Sequence, residues 1–373
     1  SSVFSGRTSC ECDVYKNGRP IRSSIPNLGQ WFSQHTDYEA VYAGKWHLPR
    51  TYTDNIPGFR VIHTGIGGFG YLCDTMMSRA CEAFIRNRSR SKPFLMVASF
   101  MQPHDICEWL RINTHEPDTL RYPEIANELP ELPDNFEYDR NEPEAVSKTR
   151  LSRDPFKTGW SKRQWRYYRW SYYRHIEQVD AEIGRVLQTL DDCGYTDETL
   201  IVFTADHGEG MGHHQMVRKS TLYNEAAKVP LIISWPGHIP QGGTDTTHLA
   251  SGMDIMPTLC DYAGIKTPQD MRGISLRSVL EGDSTGHEFV VTEASSNTGR
   301  MLRSDRYKYV AYVDNTVEQL FDMKSDPGET KNLAGNSRYA STLNEHRQFL
   351  RQWERRLNVP DGIPHRDFWR GRA

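Results

Sequence analysis

Three short apolar runs in this chain each end in an unusual cluster of polar residues. Ala40-Val41-Tyr42-Ala43 leads into Gly44-Lys45-Trp46-His47, and Phe94-Leu95-Met96-Val97-Ala98-Ser99-Phe100 leads into Gln102-Pro103-His104-Asp105. Leu200-Ile201-Val202-Phe203-Thr204-Ala205 leads into Asp206-His207-Gly208-Glu209-Gly210. The runs are continuous rather than alternating, which is the pattern of parallel strands covered by helices on both faces. In such sheets function collects at the carboxyl ends of the strands. Lysine, histidine and aspartate at three such ends predict an α/β protein. Its large, mostly parallel sheet would be sandwiched by helices, with a site along one sheet edge.

Val229-Pro230-Leu231-Ile232-Ile233-Ser234 reads as a fourth strand, and Asp254 to Gly264 has helical character. A long helix is predicted from Trp165, Tyr168, Tyr172, Ile176, Val179, Ile183, Leu187 and Leu190, whose steps of three and four form one apolar stripe. That periodicity favours a core face over a base-stacking surface for the mixture Trp165-Arg166-Tyr167-Tyr168-Arg169-Trp170. Thr114 to Arg153, rich in Pro, Glu, Asp and Asn, reads as a long surface excursion. The composition changes after Gly282. Phe289 to Thr292, Arg306 to Tyr312 and Val317 to Met323 read as shorter strands, followed by a helix around Leu343 to Leu357. With 373 residues, one large domain (1–284) and a smaller C-terminal α+β subdomain (285–373) are expected.

A formal charge of −3 gives no support for nucleic acid as the main partner. No apolar run is long enough for a membrane span, and no signal peptide is visible. The seven cysteines show no zinc-ribbon or redox C-x-x-C spacing, and Cys10-x-Cys12 is too tight for the usual zinc patterns.

The polar clusters can be read as chemistry. Asp206 and His207 at a strand end can ligate a divalent metal, with Gly208 allowing close backbone approach. In isolation the same residues also suit a capping Asp and a surface His. Lys45 and His47, two residues apart, would point to one side of an extended segment. They pair a fixed positive charge with a proton carrier working near neutral pH, or else an exposed lysine with a packed histidine. His104 is a second candidate proton carrier and Lys219 a second candidate cation. Two lysines, two histidines and a metal-ligand pair converging on one sheet edge describe a pocket for a small tetrahedral oxyanion.

The same residues carry a family resemblance. Gly44-Lys45-Trp46-His47-Leu48, Pro103-His104, Phe203 to Glu209, Gly212-His213-His214 through Lys219, Leu222-Tyr223, Val229 to Ile233 and Pro236-Gly237 resemble the sulfatases of the alkaline-phosphatase superfamily. Asp254 to Leu259, Gly273 to Leu276, Leu320-Phe321-Asp322 and Asp326 to Leu333 fit the same family in the same order, covering essentially the whole chain. Ser1-Ser2-Val3-Phe4-Ser5-Gly6-Arg7 resembles the continuation of the family's C/S-x-P-S-R signature. On this likeness the residue oxidised to formylglycine lies upstream of Ser1, together with an amino-terminal strand. The present residues alone are expected to hydrolyse no sulfate ester.

The resemblance implies a sulfuric ester hydrolase of alkaline-phosphatase-like fold, acting on a sulfated carbohydrate or aryl ester. Hydrated formylglycine would attack sulfur while a divalent cation draws charge from the sulfate oxygens. Asp206 and His207 match metal ligands, Lys45 and Lys219 the cations holding sulfate and nucleophile, and His104 the donor to the leaving oxygen. His47 matches the base that restores the aldehyde, and His214 and Arg218 are candidates for touching substrate. Calcium is the first expectation for the metal. The nitrogen of His207, where other sulfatases have Asn, leaves a softer metal such as manganese or zinc open, with magnesium a further alternative. A sulfated small molecule or polysaccharide is the expected partner, and the family points to periplasm, lysosome or medium. Two alternatives remain at this stage: a phosphodiesterase or phosphonate monoester hydrolase of the same superfamily, and a catalytically inactive, truncated homologue.

Overall fold

The structure is a computed structural model and describes residues 1–66, 69–113, 120–282, 286–294, 296 and 298–361. Its first elements are α1 (Ser2–Ser5), α2 (Leu28–His35), β1 (Glu39–Gly44), β2 (Arg60–His63), α3 (Gly70–Asn87) and β3 (Phe94–Ser99). The middle of the chain supplies α4 (Ile106–Asn113), α5 (Glu144–Leu151), α6 (Asp154–Thr158), α7 (Lys162–Asp192), β4 (Ile201–Thr204), α8 (Asn224–Ala227) and β5 (Leu231–Ser234). After α9 (Ile255–Tyr262) and α10 (Arg277–Leu280) come β6 (Phe289–Glu293), β7 (Gly299–Ser304), β8 (Tyr307–Tyr312), β9 (Gln319–Asp322) and α11 (Ala340–Arg355). They fall into two units. One comprises Ser1–Asp105, Arg174–Phe203 and Leu231–Gly286, the other Ile106–Tyr173, Thr204–Pro230 and His287–Ala373.

In the first unit β1 lies at the centre of a parallel sheet of order β2-β1-β3. Alternate side chains along β1 and β3 serve two cores. Val41, Ala43, Phe94, Met96 and Ala98 pack with Met77, Cys81, Phe84 and Ile85 of α3 and with Val186 and Leu190 of α7. Ala40, Tyr42, Leu95 and Val97 pack with Phe4, Trp46 and Phe59. Both faces being covered, the strands carry no polar alternation, as expected. β4 and β5 form a separate two-stranded piece. There the expectation of two buried faces is not met: Phe203 and Ile232 are exposed.

Helix α3 has no counterpart in the sequence reading, because its buried stripe is carried by cysteine and methionine. Cys73, Met77 and Cys81 follow i, i+4, i+8 and are buried, so two of the cysteines serve as small core hydrophobes. All seven cysteines are free, and Cys10 and Cys12 are also buried. The long α7 helix forms as its periodicity demands, with Trp165, Tyr168, Val179 and Leu190 buried. Ile176 and Leu187, assigned to the same stripe, are exposed. At 100° per residue a stripe that long drifts around the helix, and Val186 takes the buried position instead.

In the second unit β6-β7-β8-β9 form an antiparallel meander. Leu302, Tyr309, Ala311 and Leu320 face Leu343 and Leu350 of α11. Met301, Val310, Tyr312 and Phe321 face Val146, Met216, Leu222 and Tyr223. β7 was not anticipated because Arg300 and Arg303 interrupt its apolar pattern. Arg300 is fully buried and placed between Glu293, at 3.5 Å, and Glu354, at 3.2 Å. Residues 114–119 of the predicted surface excursion lie outside the described residues. The rest of it is not mere surface, since Phe136, Val146 and Arg150 are buried, the last paired with Glu142.

Candidate active site

The first unit presents three of the expected residues at one strand end. The register of β1 and β3 runs unbroken from Glu39↔Phe94 to Gly44↔Ser99, so whatever follows Gly44 and Ser99 emerges on the same side. Lys45 is the next residue, its amide donating to Ser99 O at 3.0 Å and its carbonyl accepting from the Tyr42 hydroxyl at 2.6 Å. Only glycine fits before it: Gly44 has φ +104°, and a Cβ there would sit 2.0 Å from Ser99 O. His47 adopts φ +63° and is half-buried, flanked by Trp46, whose amide donates to Thr51 O. His104 is exposed, in a turn closed by its amide and Met101 O at 3.0 Å.

That turn is held from α3 by a residue the sequence reading passed over. Asp74 is buried, and its carboxylate accepts the amides of Met101 at 2.6 Å and Gln102 at 2.8 Å. Burial pushes Asp74 up to about 6 despite those two donors, which pull the other way. A lone acid inside the stripe of Cys73 and Met77 was the available signal.

The second unit carries the remaining candidates on one folded-back loop. Asp206 is exposed, and its Oδ2 lies 3.6 Å from His207 Nε2. His207 Nδ1 lies 2.8 Å from Gly208 O. Since a carbonyl only accepts, Nδ1 carries a proton, and Nε2 is the ring nitrogen turned toward the carboxylate. That arrangement suits a nitrogen and an oxygen sharing a divalent cation. Among the described residues no cluster of three His, Cys, Asp or Glu side chains is placed to hold a metal, so this pair is a partial donor set. The close backbone approach at Gly208 is to a neighbouring segment of the chain. A Cβ there would meet Glu225 O at 1.9 Å, because its amide donates to Ala226 O.

The loop's two arms are tied by Glu209. Its buried carboxylate accepts from the Tyr168 hydroxyl and from the Arg218 amide, while the Gly210 amide donates to Arg218 O at 2.8 Å. Lys219, half-buried, directly follows that tie. Burial raises the Glu209 carboxyl above the usual range, opposed by the Tyr168 and Arg218 bonds. Asp206-His207 and Arg218-Lys219 are therefore brought together on one loop. His214 is placed differently from its neighbours. Its ring is buried, stacked on Tyr223 at 3.9 Å and 12°, with Nε2 3.2 Å from Asn135 Nδ2. This is the setting of a packed ring, and burial lowers it to about 3. Arg218 is half-buried with φ +66°.

With this geometry in view, the relatives are informative. The sulfatase family profile matches residues 1–265, and a profile described as N-sulphoglucosamine sulphohydrolase, C-terminal, matches residues 212–356. The chain belongs to the sulfatase family, enzymes of the alkaline-phosphatase superfamily that hydrolyse sulfuric esters and generally use a divalent metal. It is 33% identical over 387 residues to a Delta 4,5-hexuronate-2-O-sulfatase of Bacteroides thetaiotaomicron, covering 94% of this chain and 77% of that protein. Among solved structures it resembles a 2-O GAG sulfatase, at TM-score 0.83 and 31% identity, covering 95% of this chain and 80% of the other. The fold alone is shared with a phosphonate monoester hydrolase of Agrobacterium radiobacter, at TM-score 0.74 and 21% identity over 94% and 84% of the two chains. No described helix is long and apolar enough to cross a membrane.

Proposed function

We propose that this chain serves the hydrolysis of a sulfate ester on an acidic sugar, a hexuronate in the first instance. The observation that carries the reading is the loop locked by Glu209, which sets an oxygen–nitrogen donor pair on one arm and a lysine on the other. A sulfate ester leaving its carbon-bound oxygen as an alkoxide needs charge neutralised on the sulfuryl oxygens and a proton on the leaving oxygen. Lys45 and Lys219 supply fixed positive charge. His104, exposed on its turn, gives the proton to the leaving oxygen, and His47 accepts one in the step that frees sulfate. Asp206 and His207 hold a divalent cation, which when bound withdraws electron density from the sulfuryl oxygens. Calcium is the first choice. The imidazole ligand keeps the softer manganese and zinc as alternatives, and magnesium is a further one. Arg218 touches substrate, while His214 supports the loop from within. The hexuronate choice is supported by the likeness to the hexuronate-2-O-sulfatase over nearly the whole chain. Such a substrate accords with a periplasmic, secreted or lysosomal location.

The test is to give the full-length gene product matched aryl esters, 4-nitrophenyl sulfate and 4-nitrophenyl phosphate, and a 2-O-sulfated unsaturated uronate disaccharide. Sulfate turnover dominating over phosphate, and lost by a factor on the order of 100 or more in Lys45→Ala and Lys219→Ala, is expected. Phosphate or phosphonate turnover equal to or above sulfate turnover overturns the assignment.

A further inference from the structure

Thirteen large hydrophobic side chains are exposed among the described residues, and five of them lie between Ile66 and Met76. Such a concentration on an otherwise ordinary surface marks a place where something binds. Phe69 and Tyr71 stack nearly parallel, with centroids 5.8 Å apart and an interplanar angle of 12°. Leu72, Met76 and the exposed Arg79 continue from them along α3 at i, i+4 and i+7, one face of the helix.

This helix start adjoins both candidate loops of the first unit, those of Lys45 and His104. Cys73 Sγ donates to Gly65 O at 3.0 Å, and Gly65 packs so tightly on Gly44 and Lys45 that a Cβ there would come within 3.0 Å of the Lys45 amide. Gly70 lies against Gln102, the Tyr71 amide is 3.4 Å from Asp105 Oδ2, and Asp74 holds the turn of His104. The exposed aromatic pair is therefore fixed beside Lys45 and His104 by the same turn of helix that positions both.

From this we infer that Phe69 and Tyr71, with Leu72, Met76 and Arg79, form a stacking platform for a second pyranose ring of an acidic oligosaccharide. The inference rests on the sulfate-ester reading above. A pyranose has an apolar C–H face that covers an aromatic ring, and its carboxylate or sulfate groups complement the Arg79 guanidinium. A second copy of the chain fits less well. A stable dimer buries about 800 Å² per partner across roughly 20–30 residues a side, and this patch offers a handful.

The experiment is calorimetric titration of the protein with a heparin-derived tetrasaccharide and, separately, with inorganic sulfate at 0.15 M salt. Phe69→Ala/Tyr71→Ala should weaken the tetrasaccharide at least about tenfold, with sulfate affinity and melting temperature unchanged and with Tyr71→Phe retaining binding. Tetrasaccharide affinity unchanged in the double variant overturns the inference, as does equal loss of tetrasaccharide and sulfate. A wild-type dimer that the double variant converts to monomer, with tetrasaccharide affinity kept, assigns the patch to self-association and also overturns it. Turnover of 4-nitrophenyl sulfate with intact tetrasaccharide binding in the variant rejects the platform alone. Tetrasaccharide binding lost in the variant, from a protein that turns over no sulfate ester, rejects the sulfatase reading and leaves a glycan-binding platform.

Discussion

Glu209 stands next to the residues that carry the proposed chemistry without belonging to it. Its carboxylate takes the hydroxyl of Tyr168 and the amide of Arg218, so the position of Lys219 depends on a side chain ten residues away. Glu209→Ala leaves the buried Tyr168 hydroxyl and the half-buried Arg218 amide without that acceptor, at a cost of about 1–3 kcal/mol. It should lower sulfate-ester turnover at least about tenfold, since a displacement near 1 Å in a positioning loop has effects of this order or larger. Glu209→Gln keeps an oxygen acceptor and should recover most of kcat. Equal losses in the two variants, measured as kcat and KM on 4-nitrophenyl sulfate, would show that charge rather than hydrogen bonding is what matters there. At this scale Lys45, His47, His104, Asp206 and His207 were legible because each ends or follows a recognisable apolar run. Asp74 and the tie made by Glu209 were not, because a buried acid is identified by its partners, and those lie 27 and 41 residues away in sequence.

At the scale of elements, two glycines set how closely strands and loops approach. Gly44→Ala drives a Cβ into Ser99 O from a left-handed backbone, and Gly208→Ala drives one into Glu225 O. Neither obstacle is a flexible side-chain tip, so each substitution should cost about 3 kcal/mol or more in chemical denaturation. A loss below 1 kcal/mol would mean that the backbone yields. The meander of the second unit makes a different demand. Lys308 is fully buried on β8, bonded to Glu329 at 2.6 Å and to Asn224 at 3.1 Å. Lys308→Met strands the Glu329 carboxylate and should cost about 3–5 kcal/mol, whereas Lys308→Met with Glu329→Leu should cost clearly less. A double variant as unstable as the sum of the singles contradicts the pairing. β1 and β3 were readable from their continuous apolar runs and α7 from its periodicity. β7 and α3 were not, because arginine and cysteine take core positions there through ion pairing and small size.

For the whole molecule, acid is expected to act through individual buried groups of opposite sign, Asp74 in the first unit and two histidines in the second. Asp74, in the first, has its folded value raised from 3.8 to about 6 by burial. The folded state therefore binds more protons than the unfolded state across that window, and the contribution to stability is lost as pH rises through about 6. In the second, burial lowers His213 to about 4 and His214 to about 3. The unfolded state then takes up protons first, and stability falls as pH drops below about 6.5, by up to about 1.4 kcal/mol per pH unit for each histidine. In chemical denaturation at pH 7 and pH 5, the double substitution His213→Gln/His214→Gln should reduce the stability that the protein loses on acidification. Asp74→Asn should enlarge that loss, because it removes a group that favours the folded state at low pH, and an unchanged pH dependence in either variant would contradict its assignment.

The sequence by itself determined the α/β class, the family, and the strand ends that carry lysine, histidine and aspartate, because all of these are written in local order and short spacing. The tertiary structure alone decided that His214 is a packed ring, that Gly208 serves a neighbouring backbone, and that Asp74 and Glu209 hold the loops in place. Those outcomes depend on which distant groups meet in a water-poor interior, and burial and pairing there are properties of the folded arrangement rather than of any local stretch.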